Sequence, residues 1–375
     1  MIRFVNRSLA CLCAVVLFTA CSSSDNGNGG TPQDQFDRQA MLTNWADNII
    51  IPALADLESK LAVLDDAANS FAGSPDQAGL DQLRSAWLDA YATWQYAEMF
   101  NIGKAEELQY NFQMNVYPVS TTDVMNNIAS GTYDLSSVNN QDAVGFPAVD
   151  YLIHGIGVTD AEIIDQYVSS ADAAGYKTYL TDLTARMVAL TGEVAGDWST
   201  SYRDQFVNNT ANTATGAVNK LTNDFIFYYE KGLRANKIGI PAGVFSTQPL
   251  PDRVEAYYGS VYSKMLAMTA LNAVQDFFNG KAYGGSSVGV SFDDYLDYLE
   301  SIQGGDGLAG SINGQFNSAR SQMEMLGDDL SQQVTTDNAA MTRTYDELQK
   351  AVVLLKVDMV QKMNITIDYV DADGD

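Results

Sequence analysis

Asp150 and His154 stand four residues apart in the stretch GFPAVDYLIHGIG (145–157), and His154 is the only histidine in 375 residues. At that spacing both side chains share one helix face. A carboxylate and an imidazole so placed could ligate a metal or exchange a proton. The same residues also have a structural reading. Pro147 suits the first turn of a helix, and Asp150 near that turn is favoured by the positive end of the helix dipole. His154 belongs in the last turn, and Gly155 and Gly157 stop the helix.

A single histidine removes several chemistries. A zinc peptidase of the H-E-x-x-H type needs two on one helix. A Ser-His-Asp triad would have to use His154, and no G-x-S-x-G elbow accompanies it. No phosphate-binding P-loop occurs, and no G-x-G-x-x-G follows a strand. A hard-cation site built from carboxylates stays open. The terminal DADGD places Asp371, Asp373 and Asp375 close together, but no glutamate follows to complete a calcium loop, and it reads as a solvated acidic tail.

The first twenty residues carry Arg3 and Arg7 before the apolar run LACLCAVVLF. This is the layout of a secretory signal, too short for a membrane span. LFTAC then sets small residues before Cys21, as in a bacterial lipobox, so Cys21 is the expected lipidation site. The other cysteines, Cys11 and Cys13, leave with the signal, and the exported chain has no disulfide or thiolate ligand. Residues 21–35 read as a flexible Gly/Ser/Asn tether. Without Arg3 and Arg7 the chain has 19 basic against 47 acidic residues, a net charge of −28. Such a surface excludes nucleic acid as a partner and leaves the membrane, reached through the lipid, as the expected one.

The elements that must position Asp150 and His154 are mostly helices. Leu80, Leu83, Trp87, Tyr91, Trp94 and Glu98 recur at three- and four-residue spacing and make one aromatic stripe ending in an acid. Trp87 and Trp94 are expected in the core. Residues 36–71 read as one long helix with a kink at Pro52. Four further segments have helical periodicity, and GGDGLAGSINGQFNSARSQMEMLGDDL has it more weakly. Residues 118–142 and 279–291 read as loops. Ile365, Ile367 and Tyr369 alternate with polar residues and predict a short C-terminal strand. The boundary between two helical halves is placed at 198–206, dividing the folded part into 36–200 and 201–375.

Several of these segments resemble the imelysin-like lipoproteins. AWLDAYATWQYAEMFNIG is similar to the family's W-x6-W-x3-E segment, and GFPAVDYLIHG resembles its central motif. NKIGIPAG, VEAYYGS and NAVQDFFNG follow in the family's order, and the end, LLKVDMVQKMNITIDYVDADGD, resembles members of the Bacteroidetes type. The resemblance implies an all-α fold of two packed helical bundles, with the central motif near their contact. It implies a cell-envelope location at the outer membrane, on its periplasmic or surface face, with iron-uptake proteins as partners and iron or another divalent cation as cofactor. The family carries a peptidase label and writes its motif G-x-H-x-x-E. Here Gly145 matches, Pro147 stands in the histidine's place and Asp150 in the glutamate's. Proline cannot ligate a metal.

Glu98, Lys237 and Glu255 lie in other family-like segments. If the halves meet as in the family, these three line one cleft with Asp150, either as a ligand site or as a structural salt-bridge network. His154 is a weaker candidate, since one imidazole and one carboxylate leave a metal under-coordinated. The function expected from this set is a non-catalytic lipoprotein that binds a metal, haem, another ligand or a partner in iron uptake. A metallopeptidase and an interaction subunit of the outer membrane are the alternatives.

Overall fold

The structure is a computed structural model that describes residues 34–369. The signal segment, Cys21, the tether up to residue 33 and the DADGD acids lie outside the described residues. Eight helices position the site and are labelled here. They are α1 (Ile51–Gly73), α2 (Gln77–Ala97), α3 (Gly145–Asp150), α4 (Ala173–Asp197), α5 (Ala217–Phe227), α6 (Ser263–Phe278), α7 (Leu308–Glu324) and α8 (Asn338–Val353).

The first half forms because α1 and α2 each present an apolar stripe. α1 buries Leu54, Leu57, Leu61, Leu64, Ala68 and Phe71, and α2 buries Leu80, Leu83, Trp87, Tyr91 and Trp94. Asp76 caps α2 by accepting from the Gly79 amide. α1 packs against both α2 and α4. In the second half α8 lies between α7 and a wide-turned π-helical stretch, Tyr228–Gly239, which continues α5. α6 packs on α7 and also on α2, so it joins the halves. A second buried ionic group sits within this half: Glu230 accepts from Lys356 and the Tyr369 hydroxyl, and the fully buried Arg234 donates to the Tyr345 hydroxyl, 2.8 Å away, and to Gln349.

Pro52 sits where expected, with a physical consequence. It has no N–H to give the Asn48 carbonyl four residues back. The helix widens into a π turn over Trp45–Ile50, and the Asn48 carbonyl accepts from the Tyr283 amide instead (2.9 Å). Residue 200 falls within helix that runs on from α4 through a π turn, Trp198–Tyr202, into Arg203–Asn208.

Two expectations fail. The 118–142 segment contains a helix, Thr121–Ser130. Ser120 caps it, Gly131 ends it in the left-handed conformation, and Val124 and Ile128 bury their side chains one turn apart. Turn-forming residues at its two ends obscure this short pattern. The expected C-terminal strand is also absent among the described residues. Ile365 is buried, but no neighbouring strand supplies a ladder. The Asn223 side chain instead donates to the Thr366 carbonyl (3.1 Å) and accepts from the Asp368 amide (3.0 Å). Among the described residues no helix is long and apolar enough to cross a membrane.

Candidate functional site

The expected charged residues gather where α2, the Tyr228–Gly239 stretch and the loop before α6 meet. Glu98 caps the C-terminal end of α2, Lys237 projects from the last turn of the π-helical stretch, and Glu255 lies in the loop. All three are buried. The Lys237 ammonium lies 2.7 Å from each Glu255 carboxylate oxygen and 3.5 Å from Glu98 Oε2. Asn115 Nδ2 donates to both acids, to Glu98 Oε1 at 3.0 Å and Glu255 Oε1 at 2.9 Å. Gln95 donates to Glu255 (3.2 Å), and the Tyr91 hydroxyl donates to Asn115 Oδ1 (2.5 Å).

Two carboxylates this close are tolerable only with a cation between them. Burial disfavours charge on Lys237, but Glu255 and Glu98 outweigh it and hold the amine above its ordinary value. Burial also pushes Glu98 up, aided by Glu255 and opposed by Lys237 and Asn115. The hydroxyls of Tyr91, Tyr117 and Tyr228 are held well above the phenol range, chiefly by burial and then by the two glutamates.

Asp150 does different work. It is the sixth residue of α3, at the junction with the π turn Tyr151–Gly155, and so is not in the first turn where the helix dipole would stabilise it. Its charge is met by the loop from the other half: the Tyr258 amide donates to Oδ2 and the Gly259 amide to Oδ1, both at 2.9 Å. His154 Nδ1 lies 2.9 Å from Oδ1, in the last helical turn as expected, with its ring edge-on to Trp87. Asp150 therefore ties the Glu255 loop to the first half. That loop carries a non-glycine residue in the left-handed region, Ala256 at φ 55°. Such strain persists where neighbours over-determine the backbone, and here Glu255 on Lys237 and residues 258–259 on Asp150 pin it from both sides. Among the described residues no ion pair joins Asp150 to Lys237.

Gly145 has a steric account: its φ is +71°, and a Cβ there would stand 2.1 Å from the Met114 carbonyl oxygen. Pro147 lines a cavity of about 270 Å³ with Tyr117, Arg253, Tyr257 and Tyr258. A second cavity, about 440 Å³, also has Tyr117 in its wall. Its walls include Glu98, Asn101, Phe112, Asp224, Phe227 and Tyr228. Trp87 and Trp94 are fully buried, as the stripe implies.

Residues 50–359 match the model of the imelysin family. The chain belongs to the imelysin family. Among solved structures it resembles an imelysin-like protein from Psychrobacter arcticum 273-4, with a TM-score of 0.67 and 19% identity over 88% of this chain and 96% of that one. It also resembles a protein described as an iron-regulated protein A precursor from Parabacteroides distasonis ATCC 8503, with a TM-score of 0.69, 17% identity and the same shares covered. A curated relative, iron-regulated protein A of Synechococcus elongatus, is 24% identical over 116 residues, which span 30% of this chain and 29% of that protein.

The divalent cation that the imelysin resemblance implies does not fit these residues. Asp150 is saturated by two amides and an imidazole, and Glu255 and Glu98 already hold Lys237 as their cation. Among the described residues no group of three or more His, Cys, Asp or Glu side chains could hold a metal. Sequence reasoning missed Asn115, Gln95, Tyr117, Tyr228 and Asp224. A neutral amide or phenol in a loop or apolar stripe carries no signal until a buried acid is seen beside it.

Proposed function

We propose that this chain is a non-catalytic, exported imelysin-family protein that serves iron acquisition by binding a small ligand in the cavity beside Glu98. The observation that carries this reading is the Lys237 ammonium between Glu255 and Glu98, which already neutralises these two buried carboxylates and leaves them no open cation site. With Pro147 at the motif's histidine position and Asp150 committed to loop amides, neither motif position offers a group to activate water. The cavity's volume lies within the range of small-ligand pockets. The names of the relatives supply the link to iron. The N-terminal pattern ending at Cys21 supports export and a lipid anchor in the cell envelope.

Three measurements test this. The purified protein is expected to leave an unfolded protein substrate intact with or without zinc or iron, and cleavage abolished by a chelator would overturn the non-catalytic reading. A strain lacking the gene is expected to grow more slowly when iron is scarce, and equal growth would remove the link to iron. Cys21→Ala is expected to release the protein from the membrane fraction.

A further inference from the structure

The Glu98 cavity contains more polar groups than the ionic cluster uses. The Tyr228 hydroxyl is completely buried and lies near Glu98 without meeting hydrogen-bond geometry to it, so it has no hydrogen-bond partner. Asn101 Oδ1 is buried and unpartnered as well. The Asp224 side chain lines the same cavity, and among the described residues it makes no hydrogen bond or ion pair. Buried polar atoms without partners are rare and costly, so two around one cavity, beside the half-buried and unpaired Asp224 carboxylate, point to a ligand that completes them. Two of these three groups, Asn101 Oδ1 and the Asp224 carboxylate, are acceptors, and the Tyr228 oxygen can accept as well. What the cavity needs is a donor.

The remaining walls are apolar or aromatic. Met99, Val116, Tyr117, Phe112 and Phe227 line it, and Phe112 and Phe227 are partly open to solvent at the mouth. Aromatic faces attract cations. A metal ion would find only Asp224 free, since the Glu98 oxygens are held by Asn115 and Lys237. Lys231 also lines the cavity, but the cation that acts on Asp224 is Lys220, and it is outweighed by burial and by Glu106 and Asp368.

The geometry points to an organic ammonium ligand, an amine on an apolar body, with its N–H groups on Asp224, Tyr228 and Asn101 and its body against Phe112 and Phe227. This rests on the reading of the cavity as the ligand site. Asp224 is pushed up to about 8, so near neutral pH it carries a proton. An ammonium ion must expel that proton to gain the carboxylate, and its binding therefore tightens as pH rises toward 8.

The test is a titration of the purified protein with three probes of one skeleton: 2-phenylethylamine, 2-phenylethanol and 3-phenylpropanoate. The amine keeps its charge up to about pH 10, as a lysine does. It is expected to bind at least tenfold more tightly than the alcohol at pH 8, and at least tenfold more tightly at pH 8 than at pH 6. Asp224→Asn is expected to abolish both the preference and the pH dependence. Tyr228→Phe is expected to weaken amine binding several-fold and to keep the pH dependence. Alcohol or carboxylate binding as tight as that of the amine would overturn the ammonium inference and leave the cavity as a ligand site. Binding of none of the three would overturn both.

Discussion

Lys237→Met removes the cation from between Glu98 and Glu255 and puts an apolar chain of similar length in its place. Both carboxylates stay buried. Breaking a buried ion pair from one side costs about 3–5 kcal/mol, because the remaining charge has lost its compensation. Here two acids are stranded, with only Asn115 and Gln95 still donating to them. The variant relieves this by taking up protons. Glu98 is already pushed above its ordinary value by burial, and Lys237 is the main influence pulling it down. Without that pull the folded variant binds protons that the unfolded chain releases, so its stability falls as pH rises from the ordinary glutamate range. Each extra bound proton makes this slope about 1.4 kcal/mol per pH unit.

The expected stability gap between wild type and Lys237→Met is therefore about 4 kcal/mol at pH 8, shrinking to about 1–2 kcal/mol at pH 5.5, where lost packing and hydrogen bonds remain. Urea unfolding followed by tryptophan fluorescence at each pH measures it, since Trp87 and Trp94 are buried on the helix that ends at Glu98. Replacing all three charges together, with Glu98→Gln, Glu255→Gln and Lys237→Met, is expected to recover most of the loss at pH 8. A gap that does not change with pH, or one under about 1 kcal/mol at pH 8, would refute the argument that Lys237 is the counterion of this pair.

Asp150→Ala orphans the Tyr258 and Gly259 amides and is expected to cost about 2–4 kcal/mol in urea unfolding, while Asp150→Asn, which keeps one acceptor oxygen, is expected to lose less. Equal losses would show that packing, not the amides, sets the role of Asp150. The raised Asp224 means that the folded state holds a proton the unfolded chain gives up near pH 4, so this residue lowers stability between about pH 4 and pH 8, by at most about 1.4 kcal/mol per unit. Asp224→Asn is expected to flatten that part of the pH–stability curve, and an unchanged curve would contradict it. Gly145→Ala must move the Met114 carbonyl and adopt a left-handed backbone, so calorimetry should show a loss of about 2 kcal/mol or more. An unchanged melting temperature would show that the backbone relaxes there freely.

The sequence by itself determined the helical class, because stripes such as Leu80 to Trp94 repeat at the helical period whatever lies opposite them. It also marked Glu98 as a problem, since an acid ending an aromatic stripe must find a partner. It showed that Pro147 occupies the place of a motif histidine. Tertiary structure decided how those residues are used. Asp150 and His154 looked like a ligand pair from their spacing, but Asp150 is spent on two amides more than a hundred residues away, and a backbone N–H has no residue-type signature. Lys237 and Glu255 joined Glu98 in one ionic cluster only when elements distant in sequence met. The 118–142 helix and the missing C-terminal strand turned on local caps and on the Asn223 side chain, whose partners are set by packing. Periodicity reports which face of an element avoids water. Which buried charge meets which donor depends on distances between elements, and only the folded chain sets those.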